Sequence, residues 1–150
     1  MDICLIRHGD YTAEGISEDA LYPLSEKGKN SIEALCEKFS KMKLLPNRIY
    51  SSPLKRGLES SQIISRIFSI PFEKKEALIE FDSSALLTLI QENKGKTIFF
   101  VWHAPFLIEF AALLAKDKVD LLKMEKATAL HLKFEDEVDF QLAEYLGVIS

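Results

Sequence analysis

Three segments of the sequence end in side chains that can bind or transfer an anion. Arg7 and His8 directly follow an unbroken apolar run, residues 3–6, which is too short for a helix and typical of a strand buried on both faces. His103 follows a longer β-branched and aromatic run, and Arg56 comes soon after a third, shorter one. Ligands of parallel α/β sheets bind beyond the carboxyl ends of the strands. We therefore expect these four side chains to meet at one edge of a sheet.

The chemistry of these groups points to a phosphate. Two guanidinium groups and two imidazole rings in one pocket repel one another unless an anion joins them. The planar fork of arginine binds phosphate oxygens in pairs, which a lysine cannot do. Helices predicted to begin at Pro53 and Pro105 would add backbone N–H groups and positive dipole ends at the same edge. We expect His8 to be a nucleophile and Arg7 to be half of an anion clamp.

The elements that must position these residues alternate along the chain. Strands are predicted at five runs: residues 3–6, 49–50 and 97–102, and a late pair, residues 129–134 and 138–145, joined by the acidic turn 135–137. Residues 71–79 are predicted to hold a short extended piece. Helices are predicted from Ser25 as N-cap to near residue 46, at 54–68, around 86–90 and at 106–115. The alternation favours an α/β fold, a three-layer α/β/α sandwich with a mostly parallel central sheet.

The helix at 54–68 is amphipathic in sequence. Its apolar residues predict a buried face made of Leu58, Ile63, Ile64 and Ile67. Lys55 and Arg66 are interpreted as solvated residues of the opposite face. Arg56 lies in the first turns of this helix, where a strand-end pocket would be.

Composition excludes several other classes of function. The 150 residues, 47% of them hydrophobic, predict one domain, residues 1–150, with a sizeable core. No apolar segment is long enough for a bilayer and no secretory signal is evident, so we expect no membrane association. Cys4 and Cys36 lie in apolar patterns and are predicted to be reduced, buried thiols of a cytoplasmic protein. The net charge of −4 gives no indication of nucleic-acid binding.

Four motifs in sequence order resemble those of the histidine phosphatase superfamily, which has the phosphoglycerate mutase-like fold. They are LIRHG at residues 5–9, PLSEKG at 23–28, SSPLKR at 51–56 and VWHAP at 101–105. The resemblance implies that His8 takes the phosphoryl group covalently and that water then hydrolyses the phosphohistidine. It further implies that Arg7, Arg56 and His103 hold the phosphoryl oxygens. Such a phosphatase needs no cofactor and no metal.

The proton donor for the leaving group is not fixed by the sequence. Glu80, in the segment 78–80, resembles the position at which the family's acid follows a short apolar pair. Asp82, two residues further on, and Asp10, directly after the nucleophile motif, are the alternatives. We rank Glu80 first.

Within the superfamily the chain resembles the small SixA-type phosphohistidine phosphatases. It shares their Arg-His-Gly-Asp start, their minimal length and a small residue followed by proline after His103, and it has no long insertion that could form a lid. The favoured substrate is a phosphorylated protein, phosphohistidine on a histidine phosphotransfer domain. A small-molecule phosphomonoesterase acting on a sugar phosphate or nucleotide, or less favourably a mutase, is the alternative. A phosphate-binding module without catalysis is the alternative from another class.

Two conspicuous residues are given no part in this chemistry. His131 lies in an alternating strand pattern and is interpreted as structural. Trp102 stands where the family more often has a small or hydroxyl residue, and it is either a stacking wall or part of the core. The three histidines have no closely spaced carboxylates or thiolates, so no structural metal is predicted.

Overall fold

A six-stranded sheet forms the centre of the computed structural model, which describes residues 1–121 and 123–150. The strands are β1 (Asp2–Arg7), β2 (Arg48–Ser51), β3 (Phe72–Lys74), β4 (Ile98–Trp102), β5 (Ala129–Lys133) and β6 (Glu144–Ile149). Their order is β3-β2-β4-β1-β5-β6. The first four strands pair in parallel, whereas β5 runs antiparallel to both β1 and β6. The sheet is therefore mostly parallel, as predicted.

Helices cover both faces of the sheet. They are α1 (Glu26–Lys41), α2 (Lys55–Phe68), α3 (Ala77–Glu80), α4 (Ser83–Glu92) and α5 (Phe106–Leu114), with a short 3-10 helix at Asp19–Leu21. One apolar core lies between the sheet and the pair α1 and α2, and the other lies between the sheet and α3, α4 and α5. This arrangement confirms the three-layer α/β/α sandwich. None of the helices in the described residues is long and apolar enough to cross a membrane.

Burial on both faces explains the unbroken apolar runs of the central strands. All five residues of β4 are fully buried. Ile98, Phe100 and Trp102 enter the core under α4 and α5, whereas Phe99 and Val101 enter the core under α1 and α2. Successive side chains of a strand point to opposite faces, so a strand between two helical layers must be apolar at every position. The same reasoning applies to the apolar run in β1.

Helix α1 follows its sequence signals closely. The Ser25 hydroxyl oxygen accepts the backbone N–H of Gly28 at 3.0 Å, so Ser25 is the predicted N-cap. The apolar face of α1 is buried at Ile32, Leu35, Cys36 and Phe39. Both Cys4 and Cys36 are free and buried, as predicted.

The predicted apolar face of α2 is only partly correct. Ile63 and Ile64 are buried, but Ile67 is 42% exposed and Leu58 is half-buried. The residues buried in their place are largely polar: Arg56, Gly57, Ser60 and Ser61. The first turns of α2 face the carboxyl edge of the sheet rather than the apolar core, where Ser60 accepts the backbone N–H of Gly9 in the turn after β1 and Arg56 donates to Asp19. Helix α2 also begins at residue 55 rather than at Pro53, with Leu54 as N-cap.

The last strand lies further along the chain than predicted. The strand expected at 138–145 is wrong for most of its length, because β6 covers Glu144–Ile149 and residues 138–143 form an irregular connection. The Asp139 carboxylate accepts the backbone N–H of Phe140 at 2.7 Å, and Gln141 has a left-handed φ of 62°. These local turn interactions end any strand at this point.

Candidate active site

The residues after β1 form a buried turn at the carboxyl edge of the sheet. His8 is 4% exposed, and its backbone N–H donates to the carbonyl of Trp102 at 3.1 Å, which holds it beside the end of β4. The backbone N–H of Gly9 donates to the hydroxyl oxygen of Ser60 on α2 at 3.1 Å. The turn is thus fixed to the neighbouring strand and to the helix above it.

Close packing, rather than an unusual backbone angle, requires the glycine of this turn. A Cβ added at Gly9 would lie 2.8 Å from the carbonyl oxygen of Gly28, and a Cβ at Gly28 would lie 2.1 Å from the carbonyl oxygen of Asp10. The hydroxyl of Ser25 also donates to the Asp10 carboxylate at 2.8 Å. The first turn of α1 therefore rests directly on the backbone of the turn, with no room for a side chain between them.

The ring of His8 is held in the protonation state that a nucleophile needs. Its Nδ1 lies 2.8 Å from the carbonyl oxygen of Gly9, so Nδ1 carries the proton and Nε2 carries the lone pair. Burial is the largest cause lowering the pKa of His8 to about 4, and the charges of Arg56 and Arg7 add to this effect. The imidazole is consequently neutral at pH 7.

Arg7, Arg56 and His103 lie near this ring, so the structure brings the four predicted side chains to one part of the molecule. Each of the three lies close enough to lower the pKa of His8 through its charge. Burial, and next the charge of Arg56, also lower the pKa of His103. The two guanidinium groups disfavour positive charge on both imidazole rings, and an anion bound between them would relieve this repulsion.

Three residues near His8 carry buried nitrogen atoms that lack hydrogen-bond partners among the described residues. These atoms are Nε of Arg7, Nε of Arg56 and Nδ1 of His103. A buried polar group without a partner costs roughly 1–3 kcal/mol. The other end of each guanidinium is fixed, since Nη1 of Arg7 donates to the carbonyl of Met124 at 2.5 Å and Nη1 of Arg56 donates to that of Asp19 at 2.8 Å. Oxygens of a bound oxyanion would satisfy the remaining donors.

Sequence reasoning missed Asp19. Its Oδ2 lies 3.1 Å from Nη2 of Arg56, and its charge raises the pKa of His103 against the larger opposing effects there. No motif marks this residue, which lies in the polar connection 37 positions before Arg56. The available signal was that a buried arginine needs a carboxylate partner and that the connection carries several acidic residues.

Tyr11 was also missed, although its ring contacts two of the four pocket residues, His8 and Arg56. Its ring packs edge-on against His8 with centroids 5.6 Å apart and stacks on Tyr22 at 5.8 Å. The guanidinium carbon of Arg56 lies 4.8 Å from the ring centroid, and Nζ of Lys126 lies 4.6 Å from it. Such cation–π contacts help to hold charged side chains in place.

The three carboxyl groups considered as proton donors lie in different surroundings. Asp10 is held by hydrogen bonds from Lys126 and Ser25, which lower its pKa and keep it ionised. Asp82 caps α4, since its Oδ1 accepts the backbone N–H of Ala85 at 3.1 Å. Glu80 is exposed at the last residue of α3. Asp10 and Asp82 thus have structural partners, and Glu80 stays the candidate acid.

Trp102 and His131 have structural roles. The indole of Trp102 is fully buried and donates its N–H to the carbonyl of Leu78 in α3, so it belongs to the core and not to a stacking wall. Nε2 of His131 lies 2.8 Å from the Asp2 carboxylate, away from the pocket. Among the described residues, no group of three or more His, Cys, Asp or Glu side chains could hold a metal ion.

Solved structures with this fold include several phosphatases. The protein histidine phosphatase SixA complexed with tungstate has a TM-score of 0.85 and 16% identity, over 100% of this chain and 97% of that one. The alpha-ribazole phosphatase from Shigella flexneri has a TM-score of 0.75 and 15% identity, over 100% and 96%. A mycobacterial glucosyl-3-phosphoglycerate phosphatase has a TM-score of 0.73 and 17% identity, over 96% and 95%. At these identities the likeness concerns the fold alone.

The sequence itself matches a family model. A search of curated proteins found no significant match. The model of the histidine phosphatase superfamily, branch 1, matches residues 3–89, more than half of the 150 residues and including both arginines and the first histidine of the pocket. The chain therefore belongs to the histidine phosphatase superfamily, and it is a phosphatase of that type.

Proposed function

We propose that the chain is a metal-independent phosphatase that works through a covalent phosphohistidine at Nε2 of His8. The observation that carries this proposal is the group of buried, unpartnered nitrogen atoms on Arg7, Arg56 and His103, within the described residues, around a neutral imidazole. A neutral nucleophile surrounded by oriented cations suits phosphoryl transfer, which requires mainly alignment and charge stabilisation.

The reaction proceeds in two displacements at phosphorus. Nε2 of His8 attacks, the N–P bond forms, and the bond to the leaving group breaks as that group takes a proton from Glu80. Water then attacks the phosphohistidine, gives its proton back to the Glu80 carboxylate, and releases inorganic phosphate and neutral His8. In both steps Nδ1 keeps its proton and donates a hydrogen bond to the Gly9 carbonyl, and this hydrogen bond fixes the ring for attack.

We propose that the substrate is phosphohistidine on a histidine phosphotransfer domain, as in the SixA-type enzymes. The similarity over the full chain to SixA, a protein histidine phosphatase, supports this choice. The pocket is bordered by an exposed loop at residues 13–21 and by no long insertion, so a protein surface can approach it. The protein is expected to act in the cytoplasm and without a cofactor.

Hydrolysis of small phosphate esters is the second candidate. Its support is the shared fold of alpha-ribazole phosphatase and glucosyl-3-phosphoglycerate phosphatase, whose names specify small-molecule substrates. A pocket that binds only the phosphoryl group accepts either kind of substrate, and the groups around it decide between them.

A trapping experiment tests the covalent step. The protein is mixed with a radiolabelled aryl phosphate and quenched in base, which preserves phosphohistidine. We expect labelled wild type and unlabelled His8→Ala, while His131→Gln, the matched control, is labelled like wild type. Measurable phosphate binding without label or hydrolysis would instead support the non-catalytic binding module.

A competition of substrates tests specificity. Phosphate release is compared for a phosphorylated histidine phosphotransfer domain, sugar phosphates and nucleotides at equal concentration. We expect the largest kcat/KM for the phosphorylated domain. A clear preference for the small esters would establish the second candidate, and transfer between positions of a sugar phosphate without release would indicate a mutase.

A further inference from the structure

Asp19 is the carboxylate that the structure places on the phosphate clamp itself. Its Oδ2 lies 3.1 Å from Nη2 of Arg56, and its backbone carbonyl accepts Nη1 of the same guanidinium at 2.8 Å. Both terminal nitrogens of Arg56 are therefore bound by one residue. The carbonyl of Asp19 also accepts the backbone N–H of Tyr22 at 3.1 Å, which fixes the 3-10 turn that carries it.

The two partners differ strongly in exposure. The side chain of Arg56 is 9% exposed, whereas that of Asp19 is 64% exposed. A buried guanidinium must have oriented acceptors, whereas an exposed carboxylate is already well solvated and gains little from the pair. The side-chain pair thus orients the buried guanidinium of Arg56.

The direction in which Arg56 presents its remaining donor follows from this contact. With Nη1 and Nη2 held by Asp19, the buried Nε has no partner among the described residues. A guanidinium binds an oxyanion through two N–H groups on one planar edge. Asp19 binds the end of the guanidinium formed by Nη1 and Nη2, so the edge that includes Nε is left for the oxyanion. Asp19 therefore determines which edge of the fork meets the phosphoryl group.

We propose that Asp19 is a positioning residue for phosphoryl transfer, which aligns the Nε edge of Arg56 with the phosphoryl oxygens. This inference rests on the proposed function, in which Arg56 binds the phosphoryl group. The carboxylate acts through Arg56 and takes no proton in the reaction. Because it is negatively charged, it also repels the bound anion while it orders the clamp, and these two effects oppose each other in ground-state binding.

The kinetic consequence is a separation of turnover from binding. Removing the side chain in Asp19→Ala loses the alignment but also removes the like charge. We expect kcat with p-nitrophenyl phosphate to fall at least tenfold, while the dissociation constant of tungstate, measured by calorimetry, changes less than threefold. Asp19→Asn keeps an oxygen acceptor, so kcat should return to within threefold of wild type, with tungstate bound more tightly.

Glu18→Ala is the matched control, since Glu18 is the exposed acidic neighbour whose side chain makes no capping bond. It should leave both quantities within twofold of wild type, and all variants should melt within a few degrees of it. Equal kcat in Asp19→Ala and Glu18→Ala would overturn the inference, and so would an Asp19→Asn variant as impaired as Asp19→Ala. Absence of turnover and of trapped phosphohistidine in the wild type would instead defeat the proposed function.

Discussion

The two halves of the connection between β1 and α1 are held in opposite ways. Residues 7–10 are bonded to β4, α1 and α2, and Gly9 and Gly28 let their backbones touch. Residues 13–21 are exposed except for a half-buried Ile16, and their side-chain link to the pocket runs through Asp19 and Arg56. His8 is thus built into the packed body, whereas Arg56, the proposed hydrogen-bond donor to the phosphate, is bonded to a surface loop.

This difference separates two requirements of the reaction. The attacking nitrogen must lie at a fixed distance and angle from phosphorus, and dense backbone packing provides this. In the proposed reaction the second requirement is an oriented donor for the phosphoryl oxygens, which the bonds between Arg56 and Asp19 would provide.

Removal of Arg56, which links the two halves through Asp19, should have the largest effect on activity. Arg56→Ala deletes a phosphoryl donor and releases Asp19, so we expect kcat/KM for an aryl phosphate to fall about 10²–10³-fold, about 3–4 kcal/mol. Arg56→Lys should recover little, because an ammonium has no planar fork. Lys55→Ala, at the exposed neighbouring position, is the control. Hydrogen exchange of residues 13–21 should also accelerate in Arg56→Ala, and unchanged exchange would contradict the idea that Arg56 holds the loop.

A pair of glycine substitutions compares the two halves directly. Gly28→Ala places a Cβ 2.1 Å from the carbonyl oxygen of Asp10, in the turn after β1, so we expect a loss of about 3 kcal/mol in the free energy of unfolding. Gly15→Ala meets no atom within 4 Å and is strained only by its φ of 73°, so its cost should be about 1 kcal/mol with activity retained. Urea unfolding measures both. Equal losses would show that the two halves are equally constrained.

Near neutral pH, the titration of His8 gives the smallest effect. The folded pKa of about 4 lies below the ordinary value of 6.5, so the unfolded chain takes up a proton first as the pH falls. The stability contributed by the neutral ring is complete above pH 6.5 and is lost as the pH falls towards about 4, on the order of 1 kcal/mol by pH 6. Nitrogen-15 NMR of the ligand-free protein should show a neutral ring protonated at Nδ1 down to about pH 4. A midpoint near 6.5 would place His8 in a solvated environment.

Patterns of burial made the layers predictable, because they depend on local sequence. The apolar runs of β1 and β4 and the capped, amphipathic α1 were recognised correctly since each is buried on the faces that its pattern indicates. The predicted convergence of the strand-end residues followed from the rule that parallel strands end at one edge. These expectations required no knowledge of tertiary contacts.

Features that depend on distant contacts were not predictable. In α2, Ile67 is exposed, whereas Ser60 is buried and accepts the backbone N–H of Gly9, a contact that no periodicity within the helix indicates. The pairing of Asp19 with Arg56 joins an irregular segment to a helix across 37 positions. The shift of β6 to Glu144–Ile149 arises from turn interactions at Asp139 and Gln141, which override an apolar pattern that suited either placement.

The reversed direction of β5 has a consequence for how this enzyme could diversify. Because β5 runs against β1, the chain that enters it passes over the carboxyl edge, where Met124 accepts from Arg7 and the backbone N–H of Ala127 is shared by the carbonyls of Arg7 and His8. If β5 were parallel to β1, the chain would enter it at the opposite edge of the sheet, and these contacts of Met124 and Ala127 with Arg7 and His8 would not form. Lengthening the approach to β5 is therefore a route to a deeper cavity that leaves Arg7, His8, Arg56 and His103 unchanged.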